Sequence, residues 1–139
     1  MNCKPAQIMN AHFEISKRFL LVEDDLDDQL IFSTILGEMA PNCTCDIVND
    51  GLEAIDYLSS SKPDIIITDI NMPKLNGLDF IRAVREDLRL PITIVIWSTT
   101  PPHYSLTDGL ALSGSFAKPT VVKDLYQVIG EMISIAAKG

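Results

Sequence analysis

The sequence predicts a doubly wound α/β domain, a five-stranded parallel sheet with helices on both faces. Three observations predict it. Short apolar runs of strand length alternate five times with stretches whose apolar residues recur every three or four positions. The central runs, DIIIT at 64–68 and ITIVIW at 92–97, are apolar on both faces, so neither face can meet water. Each run is followed by a helical stretch long enough for a crossover, which is what parallel neighbours require.

The elements justify this in order. Residues 1–17 show neither a clean strand period nor a capped helix and are expected to form a mobile or loosely docked extension to a domain spanning 18–139. RFLLV (18–22) has strand length. After an acidic cluster, Ile31, Phe32, Ile35, Leu36 and Met39 define one side of a helix, which Pro41 and Asn42 end. CTCDIV (43–48) reads as the second strand, and Asp50 with Glu53 forms a capping-box pattern opening a helix with Ala54, Ile55 and Leu58 inward. SSSKP closes it, DIIIT follows, and Leu78, Ile81, Val84 and Leu88 give the stripe of a third helix. ITIVIW is the fourth strand. A short helical segment near 103–112 follows Pro101 and Pro102, SFA (115–117) is a brief strand, and Leu125, Val128, Ile129, Met132, Ile133 and Ala136 pattern the last helix.

At 139 residues and 47% hydrophobic, the chain has the length of one domain and the material for one sizeable core. Its net charge of −8 repels phosphate backbones and anionic lipid, so nucleic-acid and membrane binding are disfavoured. No apolar stretch approaches the roughly 20 residues of a bilayer span, and no signal-peptide pattern opens the chain. A cytoplasmic location is expected. Cys3, Cys43 and Cys45 read as reduced packing residues rather than a disulfide or metal clip, and the isolated His12 and His103 as incidental.

In doubly wound sheets, ligands collect at the carboxyl ends of the strands. The first strand runs into VEDDLDD, the third into Thr68 and Asp69, the fourth into Trp97, Ser98, Thr99 and Thr100, and the fifth into Lys118 and Pro119. On one rim, Glu23, Asp24 and Asp69 would crowd together, and close carboxylates stay ionised only with a compensating cation. An oxygen-only set without His or Cys suits a hard ion, Mg²⁺ above all, and Lys118 adds a second positive charge. Asp25, Asp27 and Asp28 read instead as first-turn acids favouring a helix N-terminus. Gly77 reads as a residue selected for backbone conformation.

LLVEDD, DIIITDINMPKLNG, a strand ending in Ser98, and Lys118-Pro119, in that order, resemble the receiver domain of two-component response regulators, of the single-domain, chemotaxis-regulator-like kind. The resemblance covers about residues 18–135 and implies a flavodoxin-like strand order 2-1-3-4-5. It implies that Asp69 is the phosphoacceptor and that Mg²⁺ is held by Glu23, Asp24, Asp69 and the backbone carbonyl of Asn71. Ser98, or else Thr99 or Thr100, would contact the phosphoryl oxygens with Lys118, and Pro119 would follow a cis peptide. Phosphoryl transfer asks for these parts: an in-line nucleophile and positive charge around the equatorial oxygens.

The implied partners are a histidine kinase or histidine phosphotransfer protein and a downstream protein target. The implied function is a phosphorylation switch that signals by contact, not an enzyme beyond its own phosphorylation and dephosphorylation. Several features depart from the family: the chain between Pro91 and Ser98 is two residues longer than usual, Trp97 and Thr99 are larger than the usual residues there, and two further departures bear on signal output. The aromatic residue usual three positions before the Lys is Ser115, with Phe116 next to it, and the fourth helical stretch is short. Two alternatives follow: a degenerate receiver that binds partners without phosphate, and an Asp-nucleophile phosphatase, against which Asn71 stands where a second acid is needed.

Overall fold

A computed structural model describes residues 12–139, so Cys3 and most of the expected extension lie outside the described residues. Five parallel strands, β1 (Arg18–Val22), β2 (Thr44–Val48), β3 (Ile65–Thr68), β4 (Thr93–Ser98) and β5 (Gly114–Ala117), pair in the order β2-β1-β3-β4-β5. Helices α1 (Leu26–Met39), α2 (Gly51–Leu58), α3 (Gly77–Arg82) and α4 (Val122–Lys138) connect and cover them. The predicted strand order is the observed one.

Period-two alternation splits the core into two layers. Phe19, Leu21, Ile65, Ile67, Val95 and Trp97 face one side, where Phe32, Ile35 and Leu36 of α1 and Ile129, Met132 and Ile133 of α4 meet them. Leu20, Val22, Ile66, Ile94 and Ile96 face the other, against Ala54 and Leu58 of α2 and Phe80 and Ile81 of α3. Phe13 and Ile15 pack against the first layer, and the Phe13 amide donates to the Met39 carbonyl at 2.6 Å. Cys43, just before β2, and Cys45, within it, are free, half-buried, and lean on that same layer.

Each of the first three helices starts on a side-chain cap. Asp25 accepts from the Asp28 amide at 3.0 Å, Asp50 from Glu53 at 2.9 Å, and Asn76 from Asp79 at 2.9 Å. The capping box of α2 is offset by one residue at its return bond, since Glu53 accepts from the Asn49 amide at 3.0 Å. Beyond α3 the chain makes one π turn, Ala83–Asp87, in which the Leu88 amide reaches the Ala83 carbonyl at 2.8 Å. That extra residue per turn rotates the predicted stripe beyond Val84. Leu88 ends exposed, Leu78 half-buried, and Phe80 fills the core beside Ile81 and Val84.

The segment predicted as helical near 103–112 reduces to a single 3₁₀ turn, Tyr104–Leu106, although Leu110 is buried. Pro101 and Pro102 precede it, and Gly109 and Ala111 have positive φ, which stops a helix from propagating. Arg85 ties this segment down: its guanidinium donates to the carbonyls of Leu90, Leu110 and Ala111 at 2.6, 2.8 and 3.2 Å. No described peptide bond is cis, so Lys118–Pro119 is trans, against expectation. The isomers of an X–Pro bond differ by only about 0.5–1 kcal/mol, too little for the sequence to fix the choice.

Candidate functional site

The carboxyl ends of β1, β3, β4 and β5 deliver the predicted groups to one rim. Asp69 follows β3 and is nearly buried. Its Oδ1 accepts from the Ile70 amide at 2.6 Å and its Oδ2 from the Lys118 ammonium at 3.1 Å, so both oxygens are oriented. Glu23, fully buried after β1, accepts from Lys118 at 2.6 Å and from the Asp25 amide at 3.1 Å. Lys118 follows β5, and its amide donates to the Ser98 carbonyl at 2.9 Å, which locks the ends of β4 and β5 together. The ammonium also lies 5.2 Å from the centre of the Trp97 ring, within cation–π range.

Glu23, Asp24 and Asp69 each offer an oxygen within 4.8 Å of the others. Asp24 is exposed while the other two are buried, so the cluster opens to solvent through Asp24. Hard oxygen donors at this spacing fit a divalent cation. The electrostatics agree: burial, the largest influence, pushes the Glu23 carboxyl up to about 7, against the lowering effect of the Lys118 and Asp25 hydrogen bonds, with the Asp69 charge adding to the rise. Lys118 is held above its ordinary value: burial works to lower it, but hydrogen bonds to Asp28 and Glu23 and the charges of Glu23 and Asp69 outweigh that.

Ser98 is fully buried, and its hydroxyl finds no partner among the described residues, whereas Thr99 and Thr100 are exposed. An unpaired buried hydroxyl costs about 1–3 kcal/mol, so an acceptor arriving at this rim would relieve a standing penalty. Asn71 is exposed on the loop two residues past Asp69. Met72, by contrast, is buried in the core layer under that loop. Gly77 holds the loop down. Its amide donates to the Ile70 carbonyl at 2.9 Å, and a Cβ there would lie 2.1 Å from the Asp69 carbonyl oxygen. Close approach, rather than positive φ, requires glycine; Lys74 is the loop residue at φ 64°.

Ser115 is exposed, whereas Phe116 is half-buried against the Trp97 side of the sheet. Phe116 therefore cannot stand in for an aromatic at position 115, because neighbours on a strand face opposite ways.

One contact was not anticipated. Asp28 of α1 accepts from Lys118 at 2.8 Å. Its signal was present in the spacing: Asp28, Phe32, Ile35 and Met39 lie four, three and four apart, so the acid begins the buried stripe of α1.

A family profile described as "Response regulator receiver domain" matches residues 19–129. The chain belongs to that family. Among relatives, it is 30% identical over 118 residues to a protein-glutamate methylesterase/protein-glutamine glutaminase 1 of Methanospirillum hungatei, covering 83% of this chain and 34% of that protein. It is 30% identical over 104 residues to stress response regulator protein 1 of Debaryomyces hansenii, covering 73% of this chain and 43% of that one. The chain thus spans less than half the length of these relatives. In structure it is similar to the phosphorylated cyanobacterial phytochrome response regulator RcpA, with a TM-score of 0.78 and 25% identity over 88% of this chain and 95% of the other. The Mn²⁺-bound form of response regulator Rcp1 follows, with a TM-score of 0.73 and 26% identity over 85% and 92%. As a receiver domain of response-regulator type, the chain has the fold of phosphorylation-dependent signalling. No described helix is long and apolar enough to cross a membrane.

Proposed function

We propose that this chain is the phosphoacceptor switch of a two-component or phosphorelay pathway, taking a phosphoryl group from a phosphohistidine onto Asp69 with Mg²⁺. The carrying observation is the convergence of Asp69, Glu23 and Lys118, with Asp24 alongside, on one rim. Residues 18–139 form the receiver, residues 1–17 an appended segment, and the cytoplasm, where phosphohistidine donors work, is the setting.

Glu23, Asp24, Asp69 and the Asn71 carbonyl would hold Mg²⁺, which when bound neutralises charge developing on the phosphoryl oxygens. An Asp69 carboxylate oxygen attacks phosphorus, the N–P bond of the donor imidazole breaks, and the departing imidazole takes a proton from solvent. Lys118 donates to a phosphoryl oxygen, and the unpartnered Ser98 hydroxyl to another. The Ile70 amide keeps the carboxylate aimed through the exchange. Thr99 and Pro119 support the backbone on either side of the pocket.

A protein donor must seat its phosphohistidine at this rim, where α1 and α4 both begin. Leu26, Leu30, Val121 and Val122 are exposed there, and the groove between the two helices is lined by Leu30, Ile31, Val122, Leu125 and Tyr126. Output passes by protein contact to a downstream target. Ser115 favours a second reading, a receiver that binds partners irrespective of phosphate, because the face of β5 that carries Ser115 has no aromatic ring to follow Ser98. Incubation with Mg²⁺ and acetyl phosphate, followed by intact-mass measurement, separates the two. The wild type should gain the mass of one phosphoryl group and Asp69→Asn none. No adduct on either, with Mg²⁺ bound, leaves the phosphate-independent reading.

A further inference from the structure

The three protons of the Lys118 ammonium are all committed: to Glu23 at 2.6 Å, Asp28 at 2.8 Å and Asp69 at 3.1 Å. Trp97 occupies a further side of it, at 5.2 Å. Lys118 therefore cannot donate to a phosphoryl oxygen without giving up a bond it already has. The three partners differ in what release costs them. Glu23 is fully buried, so water cannot take the place of the ammonium at its oxygens. Asp69 carries the phosphoryl group and stays beside it. The Asp28 side chain is 26% exposed, so water can take over its oxygens. Asp28 is also the one member of the set that comes from a helix, at the third residue of α1.

We propose that Asp28 is a positioning residue that competes with the incoming phosphoryl group for Lys118, so that phosphorylation of Asp69 proceeds by release of Asp28. Asp28 adds a negative charge beside a group that itself carries about two. Its release removes the ion pair between the first turn of α1 and the rim, leaving the Gln29 side-chain amide on the Glu23 carbonyl at 2.6 Å as a remaining tie, and so carries the phosphorylation state to that helix. The inference rests on the phosphoacceptor reading above.

Beryllofluoride with Mg²⁺, a mimic of the bound phosphoryl group, tests it without turnover. The chain has one tryptophan, Trp97, and its emission reports movement of the Lys118 ammonium off its ring. Titrations of the wild type, Asp28→Asn and Asp27→Asn are compared. Asp27 lies in the same first turn and among the described residues makes no bond to Lys118, so it controls for helix-dipole and net-charge effects. Asp28→Asn should bind the mimic about five-fold more tightly, the order expected for one lost competing ion pair at partial exposure. Asp27→Asn should match the wild type. Asp28→Ser, removing the charge by another side chain, should tighten as well and serves if Asp28→Asn folds poorly. Equal or weaker binding by a cooperatively melting Asp28 variant, or equal tightening in Asp27→Asn, overturns the inference while leaving the phosphoacceptor reading intact. Failure of the wild type itself to bind the mimic overturns both.

Discussion

Stripped of divalent ions, the protein should lose stability as the pH rises from 5 to 8, and Glu23 sets the size of the loss. The folded carboxyl is pushed from 4.5 to about 7 by burial. A group whose folded value lies above its unfolded one contributes stability that is complete below the unfolded value and lost as pH rises through the folded one. Here that window runs from about 4.5 to about 7. At about 1.4 kcal/mol per pH unit, the full loss is about 3 kcal/mol. A domain of this length unfolds with an entropy of about 0.3 kcal/mol/K, so the melting temperature should fall by roughly 10 °C. Thermal unfolding by circular dichroism in EDTA at half-unit pH steps measures it. Glu23→Gln should flatten the slope, and Mg²⁺ should restore stability at pH 8 by binding the ionised folded form. A melting temperature that is flat or rises between pH 5 and 8 in EDTA would refute the assignment of Glu23 as a buried, cation-demanding carboxylate.

Three further outcomes are expected. Ser98→Ala removes a buried hydroxyl with no partner among the described residues, so it should match or exceed wild-type stability by about 1 kcal/mol while slowing phosphorylation by acetyl phosphate about 100-fold; urea melts and a mass-spectrometric time course read the two effects separately. Gly77→Ala would place a Cβ 2.1 Å from the Asp69 carbonyl oxygen and should destabilise by about 3 kcal/mol, with the lost phosphorylation reflecting a displaced Asp69 loop; a melt matching the wild type would show that the loop yields freely. Leu30→Asp, on the exposed face of α1, should weaken phosphoryl transfer from a phosphohistidine protein at least ten-fold and leave the acetyl phosphate rate unchanged, since only the protein donor needs that surface.

The strands were legible because they are short, apolar and punctuated. IIIT has four buried residues in a row, and only a sheet covered on both sides hosts that. Once parallel pairing was fixed, the groups at the strand ends had to share a rim, and Asp69, Glu23, Asp24 and Lys118 do. Misreadings arose where a local rule met a tertiary one. The last residue of the predicted stripe, Leu88, drifted outward because a π turn inserts a residue that no 3.6-residue period foresees. Asp28 was read by its place in the first turn, where acids suit the helix dipole, yet the same residue heads the inward face and finds Lys118, 90 positions away. Phe116 was undecided because the sequence does not say which face of β5 is covered, and that depends on a neighbouring segment that forms only one 3₁₀ turn.

The Arg85 guanidinium makes the two ends of the sheet mechanically unlike. At the end remote from Asp69, one planar fork clasps carbonyls on two separate loops, so neither loop can swing unless both let go. At the opposite end, the stretch from Thr99 to His103 contains no regular element. Amide exchange should therefore be slow around Leu90 and Leu110 and fast between Thr99 and His103. A lysine at position 85 keeps the charge but offers no fork, and it should erase that contrast, leaving a body with no fixed anvil against which the reacting rim can work.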